Sequence, residues 1–222
     1  MFTKFLGFDN VLCLSPHPDD IEYGMAGTIV KHTNTNFDIL ILTEGGDFDS
    51  TTSNLRLKES KNSWEQADRV DYVNPYEDLR NYKLFFTNNK FMKDKGEDEW
   101  VNYIETNFIN ENNYDCIIIP SSHDSHFEHR FVSGFGSALI RTSHISLIEY
   151  NLPSTLQAWI PNLFIEISDV YETKIQMLKQ FKSQQNKPYF QRDTIDGFHT
   201  DFDCSKKGMN KIEKFKIRTH LI

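Results

Sequence analysis

Cysteine is scarce in this 222-residue chain, which has only Cys13, Cys116 and Cys204. They are odd in number, far apart and form no CxxC pair, so we expect neither a disulfide framework nor a thiolate metal site. Two of them stand in apolar runs that are typical of buried strands. We therefore interpret the cysteines as core thiols in a reducing compartment.

Excess positive charge and long apolar runs are also missing. The chain has 24 Lys and Arg against 32 Asp and Glu, a formal net charge of -8, which argues against binding to a nucleic-acid backbone. No apolar stretch approaches the ~20 residues of a membrane span. The N-terminal segment is too short and interrupted for a signal peptide. We expect a cytoplasmic protein without nucleic-acid partners or stable membrane insertion.

The residues that are present predict a folded α/β protein. Hydrophobic residues make up 38% and charged residues 25% of the chain, which is typical of globular domains. Short apolar runs alternate with helical patterns, and this order favours a parallel sheet covered by helices. Strands are predicted at 10–16, 37–43, 82–86, 114–120, 145–150 and 161–168, and helices at 24–33, 54–70, 98–110, 130–142 and 169–181, with Asp169 near a helix cap.

The fold class that we predict is therefore α/β, a Rossmann-like three-layer sandwich with a mostly parallel sheet flanked by helices. We expect one domain over residues 1–222. From about residue 184 the helix and strand patterns weaken, and we expect a loop-rich C-terminal extension that packs on the domain. No G-x-G-x-x-G follows the first predicted strand, which disfavours dinucleotide binding.

Polar side chains follow two of the predicted strands. The first cluster lies in "SPHPDD" and the second in "SSHDSHFEHR", residues 121–130. If the two strands are parallel neighbours, both clusters reach the same edge of the sheet, where ligands bind. The combined side chains are His17, Asp19, Asp20, His123, Asp124, His126, Glu128 and His129.

Imidazoles together with carboxylates are typical ligands of zinc or another divalent first-row ion. Three ligands leave a position for water, and a spare carboxylate can then act as a base. Either cluster alone also reads as an ordinary turn with a helix cap, or as a solvated loop. Both clusters together, at the ends of two buried strands, favour a metal site.

The motif "PHPDDIEYGMAGT" resembles the P-H-P-D-D-x-x-x-G signature of the PIG-L/LmbE-like family of metal-dependent N-deacetylases. "HFEH", residues 126–129, resembles the H-x-D-H element of that family, and "RLKES", residues 56–60, resembles its R-x-x-E segment. "SLIEYNLPS" and "KSQ" are similar to branches that act on sugars for surface polysaccharides. The resemblance covers residues 11–185.

The resemblance implies a role for each matching residue. His17, Asp20 and His129 match the ligands of one zinc ion per chain, although another divalent first-row metal would also suit them. Asp19 matches the general base and His126 a histidine near the developing oxyanion. Arg56 matches an arginine that contacts substrate.

Two departures from the family pattern concern neighbours of the ligands. Glu128 stands where the family usually has Asp, and it can still orient a ligand histidine. Asp124 is a second candidate for such a hydrogen bond. Ile21 stands where many members have Glu, but Glu22 follows. We expect that the side chain of Trp159 is a candidate for the wall of the substrate pocket.

The implied function is hydrolysis of an N-acetyl or other N-acyl group on an amino sugar or sugar conjugate, in surface polysaccharide or glycoconjugate biosynthesis. The expected partner is a small N-acetylated sugar, and the sequence predicts no particular oligomeric state. Two alternatives stay open. One is a weakly active or inactive sugar- or nucleotide-binding member of the same fold, and the other is a metal-dependent hydrolase of another bond, such as a phosphoester.

Overall fold

The computed structural model describes residues 4–45, 50–67, 81–87, 89–141, 144–203 and 208–220. These ranges contain eight strands and six α-helices, with a π-helical turn over 105–109 and three short 3-10 turns. The strands are β1 Asn10–Ser15, β2 Asn36–Ile41, β3 Tyr82–Phe86, β4 Cys116–Pro120, β5 Ser146–Tyr150, β6 Leu163–Glu166, β7 Thr200–Asp203 and β8 Gly208–Thr219. The helices are α1 Asp20–Lys31, α2 Ser50–Ala67, α3 Glu97–Ile104, α4 Phe127–Ala138, α5 Tyr171–Leu178 and α6 Arg192–Phe198.

All eight strands belong to one sheet whose centre is parallel. The order is β3-β2-β1-β4-β5-β8-β6, and β7 pairs with β8 off this path. The five strands from β3 to β5 are mutually parallel, while β8 runs antiparallel to both β5 and β6. The mostly parallel α/β fold that the sequence predicts is therefore confirmed, and β1 and β4 are parallel neighbours.

The central strands β1, β4 and β5 are buried on both faces, and their successive side chains point to opposite sides of the sheet. In β1, Val11 and Cys13 belong to one hydrophobic cluster, whereas Leu12 and Leu14 belong to the other. Helices α1, α2 and α5 pack together, as do α3 and α4. Cys13 and Cys116 are buried free thiols, as predicted, and Cys204 lies outside the described residues.

Helix α1 begins at Asp20, four residues before the predicted start, so the "HPDD" turn leads directly into it. Its glycines allow close packing against the sheet. A Cβ on Gly24 would lie 2.6 Å from the ring of Tyr150, and one on Gly27 would lie 2.7 Å from the side chain of Ile167. These separations are shorter than real Cβ contacts, so the helix can approach only with glycine there.

The prediction of a loop-rich tail after residue 184 is wrong for the described residues. They form α6, β7 and the 12-residue strand β8, which lies between β5 and β6 in the sheet. Charged residues obscure the strand pattern of β8, and one of them, Glu213, points inward and is buried. Asp169 lies next to the cap of α5, as predicted: Val170 is the N-cap, and the carboxylate of Asp169 pairs with Lys31.

A fully buried ion pair fastens β8 to the helical layer. Lys174 of α5 contacts the carboxylate of Glu213, and its ammonium also donates to the carbonyl of Tyr23 at 2.5 Å. Glu213 accepts the backbone N–H groups of Gly27 and Thr28. Burial lowers the pKa of Lys174, and the carboxylate of Glu213 opposes that effect.

None of the described helices combines the length and the apolar character that crossing a membrane requires.

Replacing Lys174 by Met tests this buried pair. We expect Lys174→Met to lower the free energy of unfolding by about 3–5 kcal/mol, because the carboxylate of Glu213 is left buried without its cation. Lys179→Met, at the exposed C-cap of the same helix, is the matched control, with an expected change within about 0.5 kcal/mol. Urea unfolding monitored by circular dichroism measures both. A loss below about 1 kcal/mol for Lys174→Met contradicts the assignment.

Candidate metal centre

The two polar clusters meet at the carboxyl ends of β1 and β4, because these strands are parallel neighbours. The turn after β1 supplies one cluster, and the loop from β4 to α4 supplies the other. The structure brings together His17, Asp19, Asp20, Asp124, His126, Glu128 and His129. His123 does not join them. Its ring is exposed and contacts the hydroxyl of Ser122.

Three of these side chains form a buried group that matches the predicted ligand set. The donor atoms of His17, Asp20 and His129 lie within 4.8 Å of one another. The carboxylate of Asp20 bridges the two imidazoles, with Oδ2 at 3.1 Å from His17 Nδ1 and Oδ1 at 3.4 Å from His129 Nε2.

Each of the two histidines has a second carboxylate on its other nitrogen. Asp124 Oδ2 lies 3.2 Å from His129 Nδ1, and Glu128 Oε2 lies 2.5 Å from His17 Nε2. Carboxylates in such positions fix the tautomer and ring orientation of a ligand histidine and raise its basicity. The longer side chain of Glu128 therefore still reaches one of the two histidines, His17.

Asp124 is itself held firmly. It is completely buried, and Oδ1 accepts the backbone N–H of His126 at 2.7 Å. Ser154, in the loop after β5, donates its hydroxyl to Oδ2 of Asp124 at 2.9 Å. The sequence analysis contains Ser154 only as the last residue of "SLIEYNLPS" and gave it no role. Its position just after a third parallel strand could have marked it as a neighbour of the site.

The buried carboxylates of the site strengthen proton binding by a neighbouring imidazole. Burial opposes protonation of His129, but the carboxylates of Asp20 and Asp124 raise its pKa to about 10. Burial alone would raise the pKa of Asp20, yet the imidazoles of His129 and His17 outweigh it and keep that pKa well below its ordinary value. Buried carboxylates require such compensation by positive charge.

The residues present fit a divalent cation. His129 Nε2 is a buried nitrogen without a hydrogen-bond partner, since its contact with Asp20 is not aligned for one. Two imidazoles and one carboxylate form a donor set typical of catalytic zinc, which leaves a position for water. A cation among these three side chains would satisfy the unpaired nitrogen and balance the carboxylate.

His126 lies beside this group but on its exposed side. Its ring stacks on that of His129, with centroids 4.5 Å apart, and meets the ring of His17 edge-on. As the N-cap of α4 it accepts the N–H of Glu128 on Nδ1 at 3.3 Å. Burial and the neighbouring His17 and His129 lower the pKa of His126. A neutral ring with Nδ1 as acceptor carries its proton on Nε2, so His126 can donate a hydrogen bond without being charged.

A second group of donor atoms shares His17 with the first. His17, His126 and Glu128 also offer one ligand atom each within 4.8 Å of one another. This group is more exposed than the first, and the two compete for one imidazole. Among the described residues, the buried group is therefore the better cation site.

Asp19 adjoins the buried group, and one oxygen of its carboxylate is bonded to a residue outside that group. Oδ1 accepts a hydrogen bond from Arg56 Nη2 at 2.8 Å. Burial raises the pKa of Asp19, while the Arg56 guanidinium acts in the opposite direction. The backbone N–H of Asp19 donates to Glu22 Oε2 at 3.1 Å.

Glu22 supports this turn from beneath. Its other oxygen accepts the hydroxyl of Ser60 at 2.6 Å and the indole N–H of Trp64 at 2.9 Å, both on α2. Complete burial raises the pKa of Glu22 to about 7. Trp159, the candidate pocket wall, is instead buried and donates to Glu149.

The chain is similar to a known protein family and to a known deacetylase. The family model described as "GlcNAc-PI de-N-acetylase", PIG-L, matches residues 12–140. Diacetylchitobiose deacetylase of Thermococcus kodakarensis is 28% identical over 198 residues, which cover 78% of this chain and 69% of that protein.

Two solved structures share the fold. N,N'-diacetylchitobiose deacetylase from Pyrococcus horikoshii superposes with a TM-score of 0.68 at 20% identity, covering 97% of this chain and 85% of the other. GalB, the 4-carboxy-2-hydroxymuconate hydratase of Pseudomonas putida KT2440, superposes with a TM-score of 0.75 at 10% identity, covering 96% and 98%. At these identities the two structures show the fold alone, and GalB shows that this fold also carries a different reaction.

The family match spans more than half of the chain and contains both clusters of the buried site, His17 to Asp20 and Asp124 to His129. The chain therefore belongs to the PIG-L family. The "HPDD" and "HFEH" motifs of the sequence had already indicated this family.

Proposed function

We propose that this protein is a metal-dependent N-deacetylase that hydrolyses the N-acetyl group of an amino sugar or sugar conjugate. The observation that carries the proposal is the buried His17, Asp20 and His129 group with Asp19 directly beside it. The family description and the name of the Thermococcus relative both refer to deacetylation of an acetylated sugar. Zinc is the proposed ion, because two imidazoles and a carboxylate with room for water form its usual catalytic set.

The proposed reaction adds water to the acyl carbonyl and breaks the C–N bond, giving acetate and a free amine. When bound at this group, a divalent ion supplies Lewis acidity, which makes a water molecule acidic enough to lose a proton near neutral pH. Asp19 accepts that proton as the water oxygen bonds to the carbonyl carbon. Asp19 then returns it to the amine nitrogen, which needs a proton to leave.

His126 stabilises the negative charge that develops on the carbonyl oxygen. Its Nε2 proton is available because Nδ1 accepts the N–H of Glu128. A donor fixed by a helix N-cap needs no reorganisation during the reaction, which is the condition for strong transition-state stabilisation. The ring is partly exposed, so it faces the side from which a substrate enters.

The alternatives are less well supported. Two-metal phosphoesterases hold two ions at once, whereas the two donor groups of the described residues share His17. An inactive binding protein would not need a base beside an intact ligand set. A cytoplasmic location, a role in surface polysaccharide or glycoconjugate biosynthesis, and a single-domain chain stay predictions of the sequence.

Metal content measured together with acetate release tests the proposal. Zinc-loaded protein is expected to bind about one ion per chain and to release acetate from at least one member of a panel of N-acetylated sugars and sugar conjugates. Phosphate release from the same compounds is the comparison for the phosphoesterase alternative. Bound metal without acetate from any compound would contradict the deacetylase assignment.

Asp19→Asn separates catalysis from metal binding. Asparagine tolerates the left-handed backbone conformation of residue 19 and cannot accept the proton, so the turn is preserved. We expect kcat to fall about 10²–10⁴-fold while zinc content is unchanged. Asp193→Asn on the exposed surface of α6 is the control and should retain full activity. Near-normal turnover by metal-loaded Asp19→Asn would exclude Asp19 as the base.

The carboxylates behind the two histidines are expected to control metal affinity. Asp124→Asn and Glu128→Gln should each weaken zinc binding about 10–100-fold, because the ring of His129 or His17 loses its charged partner. Competition with a chromogenic chelator measures the dissociation constant, again with Asp193→Asn as control. Unchanged affinity in both variants would mean that neither carboxylate orients a ligand.

A further inference from the structure

The segment after β3 lies at the same edge of the sheet as the metal centre. β3 is the outermost of the parallel strands, and its carboxyl end leads into residues 89–95, which we call the lysine loop because they contain Lys90, Lys93 and Lys95. The backbone N–H of Met92 donates to Glu128 Oε1 at 3.3 Å, and the other oxygen of Glu128 contacts a candidate metal ligand, the His17 ring. The lysine loop is therefore one side chain away from the metal centre.

Contacts at both ends and in the middle fix the lysine loop beside the site. Lys95 donates to Asn89 Oδ1 at 2.8 Å, which ties the two ends of the loop together. The carbonyl of Asn89 accepts the N–H of Glu44, in the segment after β2, at 3.1 Å. The side chain of Met92 is completely buried in the core, and its carbonyl accepts the indole N–H of Trp100 at 3.0 Å.

Two lysines of this loop have no anionic partner. Lys90 Nζ lies 5.3 Å from the centroid of the Phe91 ring, and Lys93 Nζ lies 5.2 Å from the same centroid. Within the described ranges neither ammonium group forms an ion pair or a hydrogen bond. Lys93 is exposed and Lys90 is half-buried. Two positive charges on either side of one aromatic ring are therefore available to a ligand.

Two nearby acidic residues are engaged with the backbone. Asp94 Oδ2 accepts the N–H of Phe91 at 2.9 Å, and Glu99 Oε2 accepts the N–H of Gly96 at 2.7 Å. Each of these carboxylates closes a short turn of the chain. The lysines of the loop thus stay unpaired although the whole chain has a formal net charge of -8.

The metal centre by itself disfavours an anionic ligand. It contains four carboxylates, those of Asp19, Asp20, Asp124 and Glu128. An anionic group on a substrate therefore needs compensating positive charge near this edge of the sheet. Lys90 and Lys93 supply two such charges, and lysine is a common point-charge partner of phosphate.

We propose that Lys90 and Lys93 form an anion-binding subsite, and that the acetylated sugar on which this protein acts carries a phosphoryl group that binds there. The proposal rests on the proposed deacetylase function and names its substrate class. A phosphoryl group with nearly two negative charges at neutral pH matches two ammonium groups better than a single carboxylate does. The two lysines then control KM for phosphorylated sugars and leave the chemical step unchanged.

Acetate release from neutral and phosphorylated sugars tests the subsite. For zinc-loaded wild type we expect kcat/KM for N-acetylglucosamine 1-phosphate or 6-phosphate to exceed that for N-acetylglucosamine about tenfold, because the lysines attract the phosphoryl charge. Combining Lys90→Met with Lys93→Met should reduce this preference to below about threefold, with kcat and the KM of the neutral sugar unchanged. Salt should weaken the preference of wild type, since exposed charges are screened.

Two control variants separate charge at the subsite from charge in general. Lys83→Met removes an exposed lysine near the amino end of β3, at the opposite edge of the sheet, and should keep the full preference. Combining Lys90→Arg with Lys93→Arg keeps both charges and should also retain it. The unfolding midpoint and zinc content are measured for each variant.

Calorimetry with zinc-loaded Asp19→Asn gives a readout that does not depend on turnover. The phosphorylated sugar should bind about tenfold more tightly than the neutral sugar, and loss of both lysines should abolish the difference. A phosphate preference that survives without the lysines would mean that the phosphoryl group binds at the metal or elsewhere, and it would overturn the proposal. Equal binding of both sugars by protein with both lysines would overturn it as well. If wild type releases no acetate, the proposed function fails, and the lysine dependence of binding still decides whether the subsite exists.

Discussion

Two neighbouring carboxylates, Asp19 and Asp20, are buried at the end of a strand, and the rest of the site compensates their charge. A buried carboxylate is costly unless it is paired. Asp19 is paired with Arg56, while Asp20 faces the imidazoles of His17 and His129. Adjacent residues of the same type thereby acquire opposite pKa shifts, raised for Asp19 and strongly lowered for Asp20. Under the proposed function, these environments separate a proton-accepting group, Asp19, from a metal ligand, Asp20.

This arrangement depends on the sheet. The parallel pairing of β1 with β4 brings the turn after one strand against the loop after the other, so that polar side chains from distant parts of the sequence converge. Helix α2 supplies Arg56 and, through Ser60 and Trp64, the contacts that hold Glu22. The loop after β5 supplies Ser154 for Asp124. The turn after β1 and the loop after β4 thus contain the site. Helix α2 and the loop after β5 hold its side chains in position.

The sequence predicted the parts that follow local rules. Strands β1, β2, β4 and β5 are short, apolar and mostly buried on both faces, which is why their positions and parallel order could be anticipated. The two polar clusters were expected to meet if the strands before them were parallel neighbours, and β1 and β4 are. The role of Glu128 was foreseen only in outline, because its choice of His17 over His129 depends on where α4 is placed.

The misses have tertiary causes. Strand β8 was read as loop because Glu213 faces inward, and its partners are the ammonium of Lys174, 39 residues earlier, and two backbone N–H groups of α1. The contacts of Arg56 with Asp19 and Gly45 were also not foreseen, because its motif gives no information on the direction of its guanidinium. Both cases concern charges whose partners are distant in sequence.

The central claim is that His17, Asp20 and His129 hold a catalytic metal ion. Anomalous diffraction from crystals of zinc-loaded protein, recorded above and below the zinc absorption edge, tests it most directly. The account predicts one strong peak about 2.0–2.2 Å from a nitrogen of each histidine and from an oxygen of Asp20. A peak bound by other residues, or no peak at this group in fully loaded crystals, would contradict it.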